Sequence, residues 1–281
     1  MVKLAELSEA TPVMAIEYVR RMPGGSQAHL MRAQDDNYYV VKFQNNPQGL
    51  RILVNEMLGA SLAALLGLPV PKAAVVDVPE ELIRYSEGMV IQLGRGRQAC
   101  QAGLCFGSLF ALGSKSFVPD GLTAGVVENF LDFLGMLVFD RWTGNSDVRQ
   151  VVFVPGNDQS LVRAVMIDQG FCFGGERWAI CDTTRQGISH YHSMYSQVSG
   201  LRSFEPWLTR LEQEIDAQTL HEAASRVPPE WYRYNVDALN RLICWLDLRR
   251  MFVRSMLAYS LRSLSDVFPN VIRAQTQAAC Q

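Results

Sequence analysis

The chain contains no run of apolar residues approaching the roughly 18 that a membrane span requires, and its first ten residues, MVKLAELSEA, carry charge where a leader peptide is apolar. Neither a spanning helix nor a signal peptide is expected, and a cytoplasmic location is the default. An excess of one charge is also missing. Lys and Arg number 26 against 28 Asp and Glu, for a net charge of −2, so there is no global field to gather nucleic acid or an anionic membrane. The six cysteines (Cys100, Cys105, Cys172, Cys181, Cys244, Cys280) include no C-x-x-C pair, and a chain of this size folds without disulfides; they read as reduced thiols. Histidine is scarce, four in all. His190 and His192 form an H-x-H without further metal-type ligands nearby, which reads as a surface pair. There is no internal repeat. What is present is 48% hydrophobic residues over 281 positions, ample for one large domain or two lobes around a packed core.

From the N-terminus, Met14 to Arg21, Ala28 to Ala33 and Tyr38 to Phe43 read as three strands of an antiparallel meander, separated by turns at 23–26 and 35–37. The first turn holds Gly24, Gly25 and Ser26, whose backbone N–H groups could close over phosphates because no Cβ blocks the approach. A plain hairpin turn is the ordinary alternative. The third strand carries Lys42, with an alternation that puts it on the face of Val40. Such a lysine usually protects an edge or reaches solvent. Fourteen residues later Glu56 lies in a strongly helical run, Leu53 to Leu66, that stops at Gly67 and Pro69. A strand lysine followed by a glutamate on the next helix is how protein kinases hold the α- and β-phosphates of ATP.

The chain is organised around residues 129–173. A helix with apolar residues at Phe130, Leu131, Leu134, Leu137 and Val138 ends in the polar cluster Thr143-Gly144-Asn145-Ser146-Asp147. A strand follows, then a turn at Gly156-Asn157-Asp158, then a second strand, Ala164 to Ile167, that ends on Asp168. Asp147 and Asp168 thereby sit in loops beside neighbouring strands, where one can face a hydroxyl nucleophile and the other a Mg²⁺ carrying ATP phosphates. An Asp after a strand is otherwise a turn-former or a helix cap. Beyond Phe173, residues 178–200 read as a long loop in the position of an activation segment. Phe204 to Arg226 reads as helical up to Pro228-Pro229, and Val236 to Val267 as one or two further helices.

The segments VKFQNNPQG, NEMLGASLAALLGLPVP, FDRWTGNSD and IDQGFCF, in that order, resemble the HipA-like kinase domain, a compact bacterial relative of protein and phosphatidylinositol kinases; the resemblance spans roughly residues 15 to 175. It implies an α+β, bilobal protein-kinase-like fold, with a small β-rich N-lobe over residues 1–93 and a larger helical C-lobe over residues 94–281. It also implies residue roles. Lys42 would contact ATP phosphates with Glu56 as its ion-pair partner. Asp147, in the pattern Trp142-Thr143-Gly144-Asn145-Ser146-Asp147, would orient and deprotonate an acceptor hydroxyl, and Asp168 would bind Mg²⁺. Met89 to Leu93, including Gln92 and Leu93, looks like the linker whose backbone holds adenine. Phe106-Gly107-Ser108 resembles a short motif that follows that linker. Residues 94–116, rich in glycine and small side chains and carrying Arg95 and Arg97, read as a flexible loop at the site mouth.

One position departs from the family. Relatives carry an Asn five residues after the catalytic Asp as a second metal ligand, and here that residue is Val152, which cannot coordinate Mg²⁺. Gln150 has a carbonyl oxygen that could substitute, and Asn145 is another candidate. Asp140 and Asn145 themselves have D-x-x-x-x-N spacing, but Asp140 lies at the end of an apolar helix and precedes the Trp-x-x-Gly pattern; we favour Asp147, with Asp140 and Arg141 as a helix-end pair. The implied activity is ATP- and Mg²⁺-dependent phosphoryl transfer to a Ser or Thr hydroxyl of a protein or of the chain itself. A pseudokinase that binds nucleotide as a regulator or scaffold, motivated by Val152, stays open. So does a nucleotidyl transferase that moves AMP onto a protein.

Overall fold

The computed structural model describes residues 11–94, 96–115, 125–158 and 160–271. Expectations for the first ten residues, Arg95, Cys280 and a frayed end at 274–281 lie outside the described residues.

Short runs rich in Val, Tyr, Leu and Met between two turns build the meander where expected: β1 (Val13–Arg21), β2 (His29–Ala33) and β3 (Tyr38–Lys42), paired antiparallel in sequence. The chain then forms α1 (Arg51–Leu65), β4 (Ala73–Val78), the short α2 (Glu80–Arg84), a ribbon of β5 (Val90–Leu93) and β6 (Gly96–Ala99), and β7 (Gly103–Leu109). Strands close into a barrel in the order β1-β2-β3-β7-β4, with β1 and β4 parallel and the other pairs antiparallel.

The small-residue stretch expected as a loop thus carries two strands, β6 and β7, and β7 lies between β3 and β4. The expected lobe division after residue 93 cuts through this barrel, which runs on to Leu109. The reason is packing. Cys105 fills the barrel interior with Val41, Val76 and Phe43, whereas Phe106 faces the other way and joins the core around α1. At Gly107 an added Cβ would collide with Val76, so the small side chain marks close strand packing.

The second half opens on α3 (Asp132–Thr143), in which every residue from Phe133 to Thr143 is buried. The periodicity suggested one apolar face; the helix is instead covered all round, by α1, α4, α6 and α7 among others. It stops at Gly144, in the left-handed conformation. The hairpin β8 (Gln150–Pro155) and β9 (Val162–Ile167) follows, then irregular chain with short 3₁₀ turns. The helical stretch expected from 204 to 226 is two helices, α4 (Glu205–Gln213) and α5 (Ala217–Ala224), because Asp216 caps α5 by accepting from the Thr219 N–H at 2.8 Å. Two more helices, α6 (Val236–Arg250) and α7 (Val253–Ser263), complete the fold. Among the described residues no helix is long and apolar enough to cross a membrane.

Candidate active site

A cleft of about 560 Å³ opens between the barrel and the β8–β9 hairpin. Lys42 and Val40 line it from β3, Glu56 and Ala60 from α1, Gly24, Gly25 and Ser26 from the β1–β2 turn, and Asp147, Gln150, Val152 and Asp168 from the second half.

Lys42 is buried at the end of β3, and two carboxylates hold its ammonium. It donates to Glu56 Oε1, and to Asp168 Oδ1 at 3.0 Å. Burial alone would lower the Lys42 pKa; the charges of Glu56 and Asp168 outweigh it, so the pKa is raised and the side chain is a fixed cation. Burial pushes the Glu56 carboxyl up, with Lys42 opposing and Asp168 assisting. For Asp168, burial is overcome by the Lys42 charge and by hydrogen bonds, and its carboxyl is held below the usual range. Glu56 has a second contact that the sequence does not announce: its Oε2 accepts from the Gln169 N–H at 3.0 Å, which ties α1 to the Asp168 loop.

Asp168 has φ of 58°. An Asp tolerates this left-handed region better than most residues but at a cost, so the surrounding contacts must hold it there. Asp147, half-buried at the cleft wall, accepts from the Val148 N–H at 2.8 Å and from Gln150 Nε2 at 3.3 Å. Gln150 is exposed, and Val152, buried, turns its apolar side chain to the same cleft. Above them Gly24 has φ of 116°, a conformation for glycine, and no atom lies within 4 Å of where its Cβ would be.

Asp140 does not reach the cleft. It is fully buried and paired with Arg149, not with the adjacent Arg141, whose guanidinium turns to the carbonyls of Thr183 and Thr184. The competing register with Asp140 as the reacting carboxylate therefore has no access to an acceptor. Gln92 and Leu93 also lie elsewhere. The Gln92 N–H donates to Gln27 Oε1 at 2.7 Å and its carbonyl accepts from Gln27 Nε2 at 2.8 Å, which occupies the backbone that was expected to read adenine. Leu93 lines a separate polar groove with residues of the β3–α1 connection. The segment that runs along the cleft is instead Ser108 to Ala111, at the end of β7.

Sequence comparison gives the same assignment from another direction. The profile of the HipA-like kinases matches residues 15–252. The chain belongs to the HipA-like kinase family. No curated protein matches this HipA-like kinase. Among solved structures it is similar to the Golgi casein kinase with Mn and ADP bound, at 13% identity and a TM-score of 0.51 over 90% of this chain and 74% of that one. The Helicobacter pylori proinflammatory kinase CtkA aligns at 12% identity and a TM-score of 0.41, over 89% of this chain and 95% of that one. The likeness to the Golgi enzyme concerns the fold, a strand-rich N-terminal part followed by helices.

Three features of this HipA-like kinase escape sequence reading. Arg149 is one residue from Gln150, yet nothing in its neighbours signals burial. Arg20 and Gln48 also line the cleft, and only the closure of the barrel brings them there. Finally, Glu176 accepts from the Arg51 N–H at 2.7 Å and supplies the N-terminal cap that α1 lacks in its own sequence. The Arg51 guanidinium lies 4.4 Å from the Trp178 ring centroid, and Trp178 donates to Asn55 Oδ1 at 2.8 Å, so the chain after Asp168 is clasped to α1. The exposed His190 and His192 are not near this site, and no group of three or more His, Cys, Asp and Glu suited to a metal ion occurs among the described residues.

Proposed function

We propose that this HipA-like kinase transfers the γ-phosphoryl group of ATP to a hydroxyl, with a Ser or Thr of a protein or of the chain itself as acceptor. The observation that carries the reading is Lys42, a buried cation between Glu56 and Asp168 at the floor of a cleft whose wall presents Asp147. Lys42 neutralises phosphate charge, and the N–H groups of Gly24, Gly25 and Ser26 cover the phosphates where the turn leaves open space. The Phe110 carbonyl and the Ala111 N–H replace residues 89–93 as the adenine-facing groups, since the Phe110 N–H itself donates to the Tyr38 carbonyl at 2.7 Å. Asp147 orients the acceptor hydroxyl and takes its proton as the oxygen attacks phosphorus in line; the bond from the γ-phosphorus to the bridging oxygen breaks and ADP leaves with the electron pair.

Asp168 and the Gln150 carbonyl would hold a Mg²⁺-type ion, and among the described residues no group of three or more His, Cys, Asp and Glu could cage one. When bound, such an ion would offset the charge of the phosphates. The Mn and ADP of the Golgi casein kinase support a nucleotide with a divalent ion in this fold.

Val152, apolar and buried in the cleft wall, favours a second reading, a pseudokinase that binds nucleotide without turnover. Incubation with Mg²⁺ and ATP labelled at either the γ- or the α-phosphate, with Asp147→Ala and Asp168→Ala as controls, separates the readings. Transfer of γ-label that both substitutions abolish is expected. Transfer of α-label would replace the reading with nucleotidyl transfer. An ATP-induced rise in melting temperature without either label would replace it with the pseudokinase.

A further inference from the structure

Beneath the two acidic loops lies an ion pair that no step of the proposed reaction uses. Asp140 and Arg149 are both buried, and the arginine fork is engaged on two sides. Its Nε donates to Asp140 Oδ2 at 3.0 Å and its Nη2 to Asp140 Oδ1. Its Nη1 donates to the main-chain carbonyls of Ile167, at 2.9 Å, and Asp168, at 3.1 Å. From the other end, Asp140 Oδ1 accepts from Asn145 Nδ2 at 3.0 Å, and Asn145 Oδ1 accepts from the Asp147 N–H at 3.2 Å. The main chains of Asp147 and Asp168 are thus the two ends of one string of hydrogen bonds that passes through a single guanidinium.

Stability alone does not explain such a pair, because desolvation offsets most of the attraction between buried charges, and apolar residues of like volume often serve as well. An apolar pair cannot, however, fix two carbonyls and a carboxylate at set angles, which the planar, five-donor guanidinium does. Asp168 needs such a hold, since its backbone is left-handed.

We propose that Asp140 and Arg149 are positioning residues: they fix the Asp147 and Asp168 carboxylates relative to one another while touching neither nucleotide nor acceptor. The inference rests on the reading of the cleft as a phosphoryl-transfer site. A displacement of about 1 Å at a reacting centre costs on the order of 100-fold in rate.

The test compares Arg149→Lys, which keeps the charge opposite Asp140 but loses the fork, and the near-isosteric Asp140→Asn with the parent chain. Transfer from γ-labelled ATP to the chain itself and to a Ser/Thr peptide pool gives kcat and KM, and the rise in melting temperature with ATP is measured with and without Mg²⁺. We expect folded variants whose kcat falls by about 100-fold, whose thermal shift with ATP alone is kept because Lys42 retains Glu56 and the Gly24 turn is untouched, and whose Mg²⁺-dependent part of the thermal shift is lost. Variants that melt lower but keep the parent's kcat and Mg²⁺ dependence would overturn the proposal and leave the pair a structural one. Should the ion-pair variants not fold, Asn145→Ala cuts the string at an uncharged link. It is then expected to lower kcat about tenfold at unchanged KM; an unchanged kcat would overturn the proposal. A parent that transfers nothing but binds ATP with Mg²⁺ dependence would sink the phosphotransferase reading alone. Positioning would then be supported by loss of that dependence in Arg149→Lys and overturned by its retention. A parent that does not bind ATP overturns both.

Discussion

Asp168 separates chemistry from folding better than Lys42 does. Asn matches its shape and tolerates the left-handed φ, so Asp168→Asn removes the charge with little else. γ-Label transfer is expected to fall by about 10²-fold or more while the melting temperature stays within a few degrees; turnover equal to the parent's would remove Asp168 from the metal position. Lys42→Ala, in contrast, strips the only cation in contact with the buried Glu56 carboxylate among the described residues. Breaking a buried pair costs about 3–5 kcal/mol, so lost activity there would be confounded by lost fold. A second residue prediction concerns pH. His29 is fully buried between Tyr18 and Phe43, and burial brings its pKa down from 6.5 to about 4, with Arg21 assisting and the Gly88 carbonyl opposing. As pH falls through that window the unfolded chain takes up a proton that the native chain refuses, so stability is complete above about 6.5 and is lost toward 4. The loss for this group is at most about 3 kcal/mol. Melting temperatures between pH 7 and 5 should fall more steeply for the parent than for His29→Gln, and parallel curves would refute the assignment. Lys42 and Asp168 were readable as candidates because each stands at the end of a strand, Glu56 because it follows in the next helix, and Asp147 because it stands in the polar cluster after the apolar helix α3. Arg149 was not, because its partner lies nine residues back across a loop and its burial depends on β9 lying beside it.

Helix α1 links sequence to site at the next scale. Its Gly59 faces the Asp168 loop so closely that an added Cβ would sit 2.7 Å from Gln169 Cβ. Gly59→Ala gains about 1 kcal/mol of helix propensity, yet it must push Gln169 away and with it the N–H that Glu56 accepts. A net lower melting temperature and weaker ATP binding are expected; a stabilised variant with the parent's affinity would show that the loop yields freely. At the start of the helix, Glu176→Ala removes the cap supplied from the segment after Asp168. A loss of about 1 kcal/mol with a raised KM for ATP is expected from denaturation and kinetic titrations; a change in stability with KM untouched would confine Glu176 to capping. The meander was legible from short β-rich runs between turns, α1 from its helical pattern, and the β8–β9 hairpin from two apolar strands about a polar turn. Residues 89–93 were expected beside the cleft and Ser108 to Ala111 line it instead, because β5 and β7 are both short apolar strands and only the pairing of β7 between β3 and β4 tells them apart.

Over the whole molecule the division into a strand-rich and a helical half is visible in sequence order, but the core does not respect it. Ala73, Val75 and Phe106 of the barrel belong to the same apolar cluster as α1 and α3 to α7. Trp231 donates to the Leu104 carbonyl at 3.0 Å, and Arg210 to that of Leu66 at 2.8 Å. A shared core predicts one cooperative transition. All five tryptophans lie at or beyond Trp142, so their fluorescence reports the second half while hydrogen exchange at β3 and β7 reports the barrel. The two midpoints in denaturant are expected to coincide, and a barrel that opens first would show independent halves.

The closure of that barrel also limits how a peptide acceptor, as proposed above, would be held. Among the described residues its five strands close on themselves, with β1 and β4 paired at Val13–Val76 and Met14–Asp77, and an extended peptide cannot join a sheet at a paired edge. Lys115 bridges to Phe153 of β8, and Val127 to Val162 of β9, so the second hairpin is partly covered as well. On the proposed function, a peptide acceptor gains no strand partner from the barrel and is held there by side chains and loop carbonyls, which read sequence, rather than by strand addition, which reads backbone.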